Sequence, residues 1–111
     1  MNKEQWNFLK DVALLIQYAE RIGIILTGGE LYRTHEQQKI YFETGKSKTM
    51  NSNHLKRLAI DFNFFINGQL CYEKEKIQIL GDYWESLSNF NRWGGNFKAF
   101  LDVPHFERNI S

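Results

Sequence analysis

The sequence contains one cysteine, Cys71, and three histidines, and this scarcity limits the metal sites that it can form. A single thiol excludes an intramolecular disulfide and every zinc finger that is built on several cysteines. We interpret Cys71 as a small buried apolar residue rather than as a reactive thiol. Any metal site must therefore combine histidine with carboxylate side chains.

Charge and long apolar runs are also lacking. The formal net charge is +1, without the clustered basic excess of a nucleic-acid-binding protein. No run approaches the 18 or so apolar residues of a membrane span, and residues 1–10 lack the apolar core of a signal peptide. We therefore expect a soluble monomer that is made in the cytoplasm and binds neither nucleic acid nor membrane. The length of 111 residues, 42% of them hydrophobic, predicts a single domain over residues 1–111.

Hydrophobic periodicity predicts three helices. They run from Lys3 to about Ile22, from an N-cap at Thr34 to about Thr44, and from Lys74 to Phe90. In the first helix the apolar stripe is predicted to comprise Trp6, Leu9, Val12, Leu15, Ile16, Ala19 and Ile22.

Extended segments lie between these helices. They are predicted at Ile24–Tyr32, Leu58–Phe65, Gln69–Tyr72 and His105–Arg108, with a polar loop at 46–53. Asn67-Gly68 is the dipeptide most typical of a tight hairpin turn. The predicted fold class is α+β, with a small antiparallel sheet flanked by helices.

Asp61 is out of place in its strand. Alternation puts Leu58, Ile60, Phe62 and Phe64 on one face of the strand, and Asp61 on the other face beside the small Ala59. A carboxylate in a strand of this composition must be paired with a cation or bound to a metal when it is buried.

Two histidines lie near such strands. His54 precedes the strand that carries Asp61, and His105 begins the last strand, where alternation places it on the same face as Glu107. Two imidazoles and one carboxylate form a typical catalytic zinc set that leaves a position open to water. Asp102 lies close enough to His105 to act as the general base, and Glu107 is the second candidate.

Each of these residues also has an ordinary structural explanation. Asp61 could pair with Arg57 or Arg92, His105 could be a hydrogen-bonded core histidine, and Asp102 could be a turn residue. Taken singly, these explanations are the better ones, and only the combination makes a metal site equally well supported. The remaining histidine, His35, is predicted to lie in solvent at a helix start.

Four motifs in this order resemble a family of zinc peptidases. The family includes D-alanyl-D-alanine carboxypeptidases, vancomycin-resistance D,D-dipeptidases and phage L-alanyl-D-glutamate endolysins, and the hedgehog signalling domain shares its fold. The resemblance covers the chain from about Gly28 to Glu107. Its motifs are Tyr32-Arg33-Thr34 with Gln37, Ser52-Asn53-His54 through Ala59-Ile60-Asp61, Trp93-Gly94-Gly95, and Asp102 through Glu107.

The resemblance implies zinc on His54, Asp61 and His105, with Asp102 as catalytic base. It also implies that Arg33 holds the substrate carbonyl oxygen as it becomes an oxyanion, a role that suits a permanently charged guanidinium. One residue departs from the family pattern, since Arg57 stands where the family has glycine. A glycine often marks a positive φ, so the local turn is expected either to differ or to accept a side chain.

The implied activity is hydrolysis of the peptidoglycan stem peptide. The motif detail favours an L-alanyl-D-glutamate endopeptidase of a phage or prophage, which would act on the cell wall after a holin opens the membrane. Two alternatives remain at this point: a D-alanyl-D-alanine carboxypeptidase or dipeptidase, and a non-catalytic domain that binds zinc or wall peptide.

Overall fold

The computed structural model describes residues 1–29, 31–45 and 52–110. Most of the polar loop predicted at 46–53 therefore lies outside the described residues. The elements, in chain order, are α1 (Lys3–Arg21), β1 (Ile24–Gly28), α2 (His35–Glu43), β2 (Ala59–Ile66), β3 (Gln69–Leu70), α3 (Lys74–Leu87), β4 (Asn91–Trp93), a 3-10 turn (Gly94–Asn96) and β5 (His105–Arg108).

The strands form one antiparallel sheet in the order β1-β2-β5-β4, with β3 paired to β2. This confirms the predicted α+β class. The sequence predicts four extended segments, of which Ile24–Tyr32 is observed as the shorter β1, and the structure adds β4. Because β2 lies between β1 and β5, its two halves face different partners, and Asp61 lies opposite His105.

Phe106 of β5 lies at the centre of the core. Its ring is fully buried and lies 5.9 Å from the ring of Trp84 in α3 and 5.8 Å from the ring of Phe62 in β2. Edge-on contacts between aromatic rings add to the stability that comes from burial alone. The face of β5 that carries Phe106 is therefore fixed by the core, which leaves the opposite face for His105.

The predicted apolar stripe of α1 was partly wrong. The buried residues are Phe8, Val12, Leu15 and Ala19, whereas Trp6 is 50% exposed and Leu9 is 53% exposed. Both sets repeat at spacings of three and four, so periodicity alone does not choose between them. Phe8 decides the outcome, because its ring packs edge-on against Trp84 of α3.

Turn residues behave as their chemistry predicts. Asn67 and Gly68 both have positive φ, as the predicted hairpin turn requires, although β3 is shorter than expected. The Thr34 side chain accepts from the backbone of Gln37 and caps α2.

Cys71 is half-buried. Among the described residues, no helix is long and apolar enough to cross a membrane.

Candidate metal centre

Asp61 and His105 meet because β2 and β5 pair in this register. Their neighbours Phe62 and Phe106 point into the core, so alternation turns both polar side chains to the opposite face of the sheet. The Nδ1 atom of His105 lies 3.3 Å from Oδ1 of Asp61. The alternation predicted within each strand therefore places these two side chains next to each other when the strands pair.

His54 reaches the same carboxylate from the loop that precedes β2. Its Nε2 atom lies 3.4 Å from Oδ1 of Asp61. The loop is folded by backbone hydrogen bonds from Leu58 to Asn53 and from Arg57 to His54. These turns bring the imidazole of His54 next to Asp61 of β2.

Arg57 adopts the left-handed conformation that a glycine would supply in this loop. Its φ is +57°, which costs a residue with a side chain roughly 1–2 kcal/mol. Its guanidinium lies 4.2 Å from the ring centre of Tyr32, over the ring face. The turn therefore accepts a side chain at position 57, as one of the two expectations from the sequence allowed.

The geometry of the three side chains fits a tetrahedral metal ion. Zinc bonds of about 2.0–2.1 Å at tetrahedral angles separate neighbouring donor atoms by about 3.3 Å. The two distances from Asp61 Oδ1 are 3.3 and 3.4 Å. His54, Asp61 and His105 can each offer one donor atom, with all three atoms within 4.8 Å of one another.

Hydrogen bonds on the far sides of both imidazoles orient them toward this point. Nδ1–H of His54 donates to the carbonyl of Leu31 at 2.9 Å, and Nε2–H of His105 donates to Glu107 Oε1 at 2.7 Å. These bonds leave Nε2 of His54 and Nδ1 of His105 as the donor atoms for a metal. The first of these atoms is buried and makes no hydrogen bond to any described residue.

The ionisation of each side chain in the cluster depends on the charges of the others. Burial opposes the charge of Asp61, yet His105 and His54, whose imidazoles face the carboxylate, hold the pKa of its carboxyl well below the usual range. Burial also opposes protonation of His105, but Asp61 and Glu107 together raise the pKa of His105 to about 9. A bound cation would take over the balancing role that the protonated imidazole fills between these carboxylates.

Asp61 does not pair with the arginines considered as its partners from the sequence. Arg57 lies over Tyr32, and Nη1 of Arg92 donates to the carbonyl of Asn89 at 3.4 Å. The ion pairs of Asp61 are with His54 and His105. The remaining histidine, His35, is exposed at the start of α2, as predicted.

Asp102 lies beside the cluster without belonging to it. Its Oδ2 atom is 4.0 Å from Nδ1 of His105, the same atom that faces Asp61. Burial raises the pKa of the Asp102 carboxyl, and the negative charge of Asp61 adds to this rise while His105 opposes it. A carboxylate with a raised pKa next to a metal centre is well suited to accept a proton.

The close approach of Gly94 fixes the backbone of Asp102. The amide of Asp102 donates to the carbonyl of Gly94 at 3.0 Å, and a Cβ atom at Gly94 would lie 2.0 Å from the Asp102 carbonyl oxygen. Glycine is therefore required at this position of the Trp93-Gly94-Gly95 motif.

Arg33 is buried next to the loop that carries His54. Its backbone amide donates to the carbonyl of His54 at 3.3 Å, and its Nη1 donates to Ser52 Oγ at 3.4 Å. The same hydroxyl accepts the backbone amide of His54 at 3.2 Å. The guanidinium charge opposes, without cancelling, the rise in the pKa of the Asp102 carboxyl that burial causes.

The glutamine that contacts Arg33 is Gln38, which adjoins the Gln37 quoted for the family resemblance. Oε1 of Gln38 accepts from Nη1 of Arg33 at 2.5 Å, whereas the backbone of Gln37 serves the helix cap at Thr34. Two adjacent glutamines match the motif almost equally well. The packing of α2 against Arg33 determines which of the two glutamines reaches the guanidinium.

Glu107 orients His105 and lies on the side of the ring away from Asp61. Removing its carboxylate in Glu107→Ala is expected to weaken zinc binding about 10- to 100-fold, because the imidazole loses the partner that fixes its tautomer. Competition with a zinc-binding dye would measure this affinity. Glu107→Gln keeps an acceptor oxygen and should lose less. Equal affinity in Glu107→Ala and the unmodified protein would contradict the orienting role.

The sequence matches the family model described as D-alanyl-D-alanine carboxypeptidase over residues 45–108, more than half of the chain. The chain belongs to this M15 peptidase family. The matched region includes His54, Asp61, His105 and Asp102. M15 peptidases depend on zinc, and the His54, Asp61 and His105 cluster of this member fits that ion.

Individual relatives of this chain agree with the family match. It is 33% identical over 99 residues to an L-alanyl-D-glutamate peptidase of Listeria phage A118, a match that covers 86% of this chain and 34% of that protein. The chain thus spans about a third of the length of this curated relative.

Two solved structures share the fold. The L-Ala D-Glu endopeptidase ChiX of Serratia marcescens has a TM-score of 0.73 at 22% identity, covering 97% of this chain and 87% of that one. The vancomycin-resistance D,D-pentapeptidase VanY, solved as a mutant in complex with Zn(II), has a TM-score of 0.64 at 16% identity, covering 91% and 70%.

Proposed function

We propose that the protein is a zinc peptidase that hydrolyses the stem peptide of peptidoglycan. The observation that carries this proposal is the spacing of His54 Nε2 and His105 Nδ1 from one oxygen of Asp61, with Asp102 beside the same His105 atom. In this proposal His54, Asp61 and His105 hold the zinc ion.

Zinc bound by these residues would supply Lewis acidity, which polarises a carbonyl and lowers the pKa of water to about 7. Asp102 takes the proton of the attacking water and delivers it to the leaving amine. Arg33 donates to the carbonyl oxygen as negative charge develops on it, since a guanidinium remains protonated throughout.

Within the stem peptide we propose the L-alanyl-D-glutamate bond as the site of cleavage. The support is the identity to the phage L-alanyl-D-glutamate peptidase, together with the ChiX endopeptidase as a structural neighbour. A D-alanyl-D-alanine bond is the second candidate. It is favoured by the description of the family model and by the structural likeness to VanY.

Digestion of purified sacculi distinguishes the two bonds. We expect new amino-terminal D-glutamate on the released peptides, identified by mass spectrometry after labelling of free amines, and no release of free D-alanine. Release of D-alanine without new D-glutamate termini would assign the protein to the D,D-peptidases. Intact sacculi after incubation with the zinc-loaded protein would contradict both activities and favour a non-catalytic domain that binds zinc or wall peptide.

Asp102 and Arg33 are the residues that argue against that non-catalytic alternative. A site that only binds metal needs neither a partly buried carboxylate with a raised pKa nor a buried guanidinium next to the loop that carries His54. We propose further that residues 1–111 work as one peptidase domain and as a monomer. The phage origin of the relative supports release to the cell wall through a holin.

A further inference from the structure

Helix α2 docks on the site through a polar residue. Among its described positions the one buried residue is Gln38, which is 0% exposed, whereas Ile40 and Phe42 of the same helix are 52% and 47% exposed. A helix ordinarily buries its apolar residues and exposes its amides. Burying an amide costs free energy unless the amide is hydrogen-bonded, so the hydrogen-bond partner of Gln38 should explain why this residue is buried.

That partner is Arg33. Oε1 of Gln38 accepts from Nη1 of Arg33 at 2.5 Å. Tyr41, three residues further along α2, has its ring centre 4.7 Å from the guanidinium carbon, which lies over the ring. One helix therefore supplies both a hydrogen-bond acceptor and an aromatic ring to the guanidinium.

Gln38 and Tyr41 together form a clamp on the Arg33 guanidinium. Ser52 connects this clamp to the candidate metal centre. Its hydroxyl accepts from Nη1 of Arg33 at 3.4 Å and from the backbone amide of His54 at 3.2 Å. The orientation of the guanidinium is thus tied to the loop that carries a proposed zinc ligand. A group fixed in this way can meet a developing oxyanion without first reorganising.

We infer that Gln38 is a positioning residue for Arg33, which holds the guanidinium in the orientation needed to receive the substrate carbonyl oxygen. The inference rests on the proposed function of Arg33. It concerns the orientation of that side chain and does not place Gln38 in contact with substrate.

The test compares Gln38→Met with the matched control Gln37→Met at the adjacent, half-buried position. Gln38→Met is expected to lower kcat on stem peptide about 10- to 100-fold while KM and zinc content stay close to those of the unmodified protein. Gln37→Met should change kcat by less than about twofold, since the acceptor of the Arg33 guanidinium, Gln38, is retained in it.

A double-mutant cycle separates positioning from general stability. In an Arg33→Ala background, Gln38→Met should lower kcat no further, because the residue through which it acts is already absent. An equal loss in both backgrounds would overturn the inference and make Gln38 a structural residue only.

Rotation of the Arg33 guanidinium gives a readout that does not depend on activity. Nitrogen-15 NMR of the unmodified protein is expected to show slow rotation about the Nε–Cζ bond of Arg33, retained in Gln38→Glu and lost in Gln38→Met. Fast rotation in the unmodified protein would overturn the inference even if Gln38→Met does not fold. Slow rotation without hydrolysis of sacculi would instead contradict the proposed function and leave the clamp intact.

Discussion

Replacing His54 by alanine is expected to abolish zinc binding and peptidoglycan hydrolysis together. Its Nε2 atom is buried, makes no hydrogen bond to any described residue and lies 3.4 Å from Oδ1 of Asp61. Two protein donors remain in the variant, and a stable zinc site needs three or four. Metal analysis after gel filtration should find about one zinc ion per chain in the unmodified protein and almost none in His54→Ala.

His35→Ala is the matched control for this substitution. His35 is exposed at the start of α2, so its removal should leave zinc content and activity unchanged. Chelation should inactivate the unmodified protein, and added zinc should restore it. A His54→Ala protein that retains a full complement of zinc would show that the metal, if any, is held elsewhere.

Removing the carboxylate of Asp102 is expected to separate metal binding from catalysis. Asp102→Ala should retain zinc, because Asp102 lies 4.0 Å from His105 and outside the triangle of donor atoms. Its kcat should fall about 10²- to 10⁴-fold, the usual contribution of a general base. The measurements are zinc content and steady-state hydrolysis of a purified stem peptide.

Asp102→Asn distinguishes loss of the base from loss of volume. An amide of the same shape cannot accept the proton, so this variant should be as inactive as Asp102→Ala. Normal activity in Asp102→Asn would remove Asp102 from the mechanism. Loss of zinc from either variant would mean that Asp102 is a ligand rather than a base.

Local patterns predicted the parts of the site that depend on alternation within one strand. Asp61 stands out within an apolar run, and Phe106 separates His105 from Glu107 by the period of two. The structure places these side chains as that period requires. The assignment of zinc ligands remains a prediction that the metal analysis described above tests.

The features that the sequence did not predict depend on packing between segments that are distant in the chain. The buried face of α1 depends on the contact of Phe8 with Trp84, and the choice of Gln38 over Gln37 depends on how α2 lies against Arg33. Strand β4 is three residues long and is defined by pairing with β5. The positive φ of Arg57 leaves no mark in the sequence, because arginine is not a residue that signals it.

The pairing of Asp61 with His105 has a consequence for how this protein can change over evolution. A shift of β5 by one residue would turn Phe106 toward solvent and His105 into the hydrophobic interior. Insertions and deletions within this strand would thus damage folding and chemistry simultaneously. We therefore expect changes in chain length to be tolerated only in segments outside the β2–β5 pair, where they disturb neither.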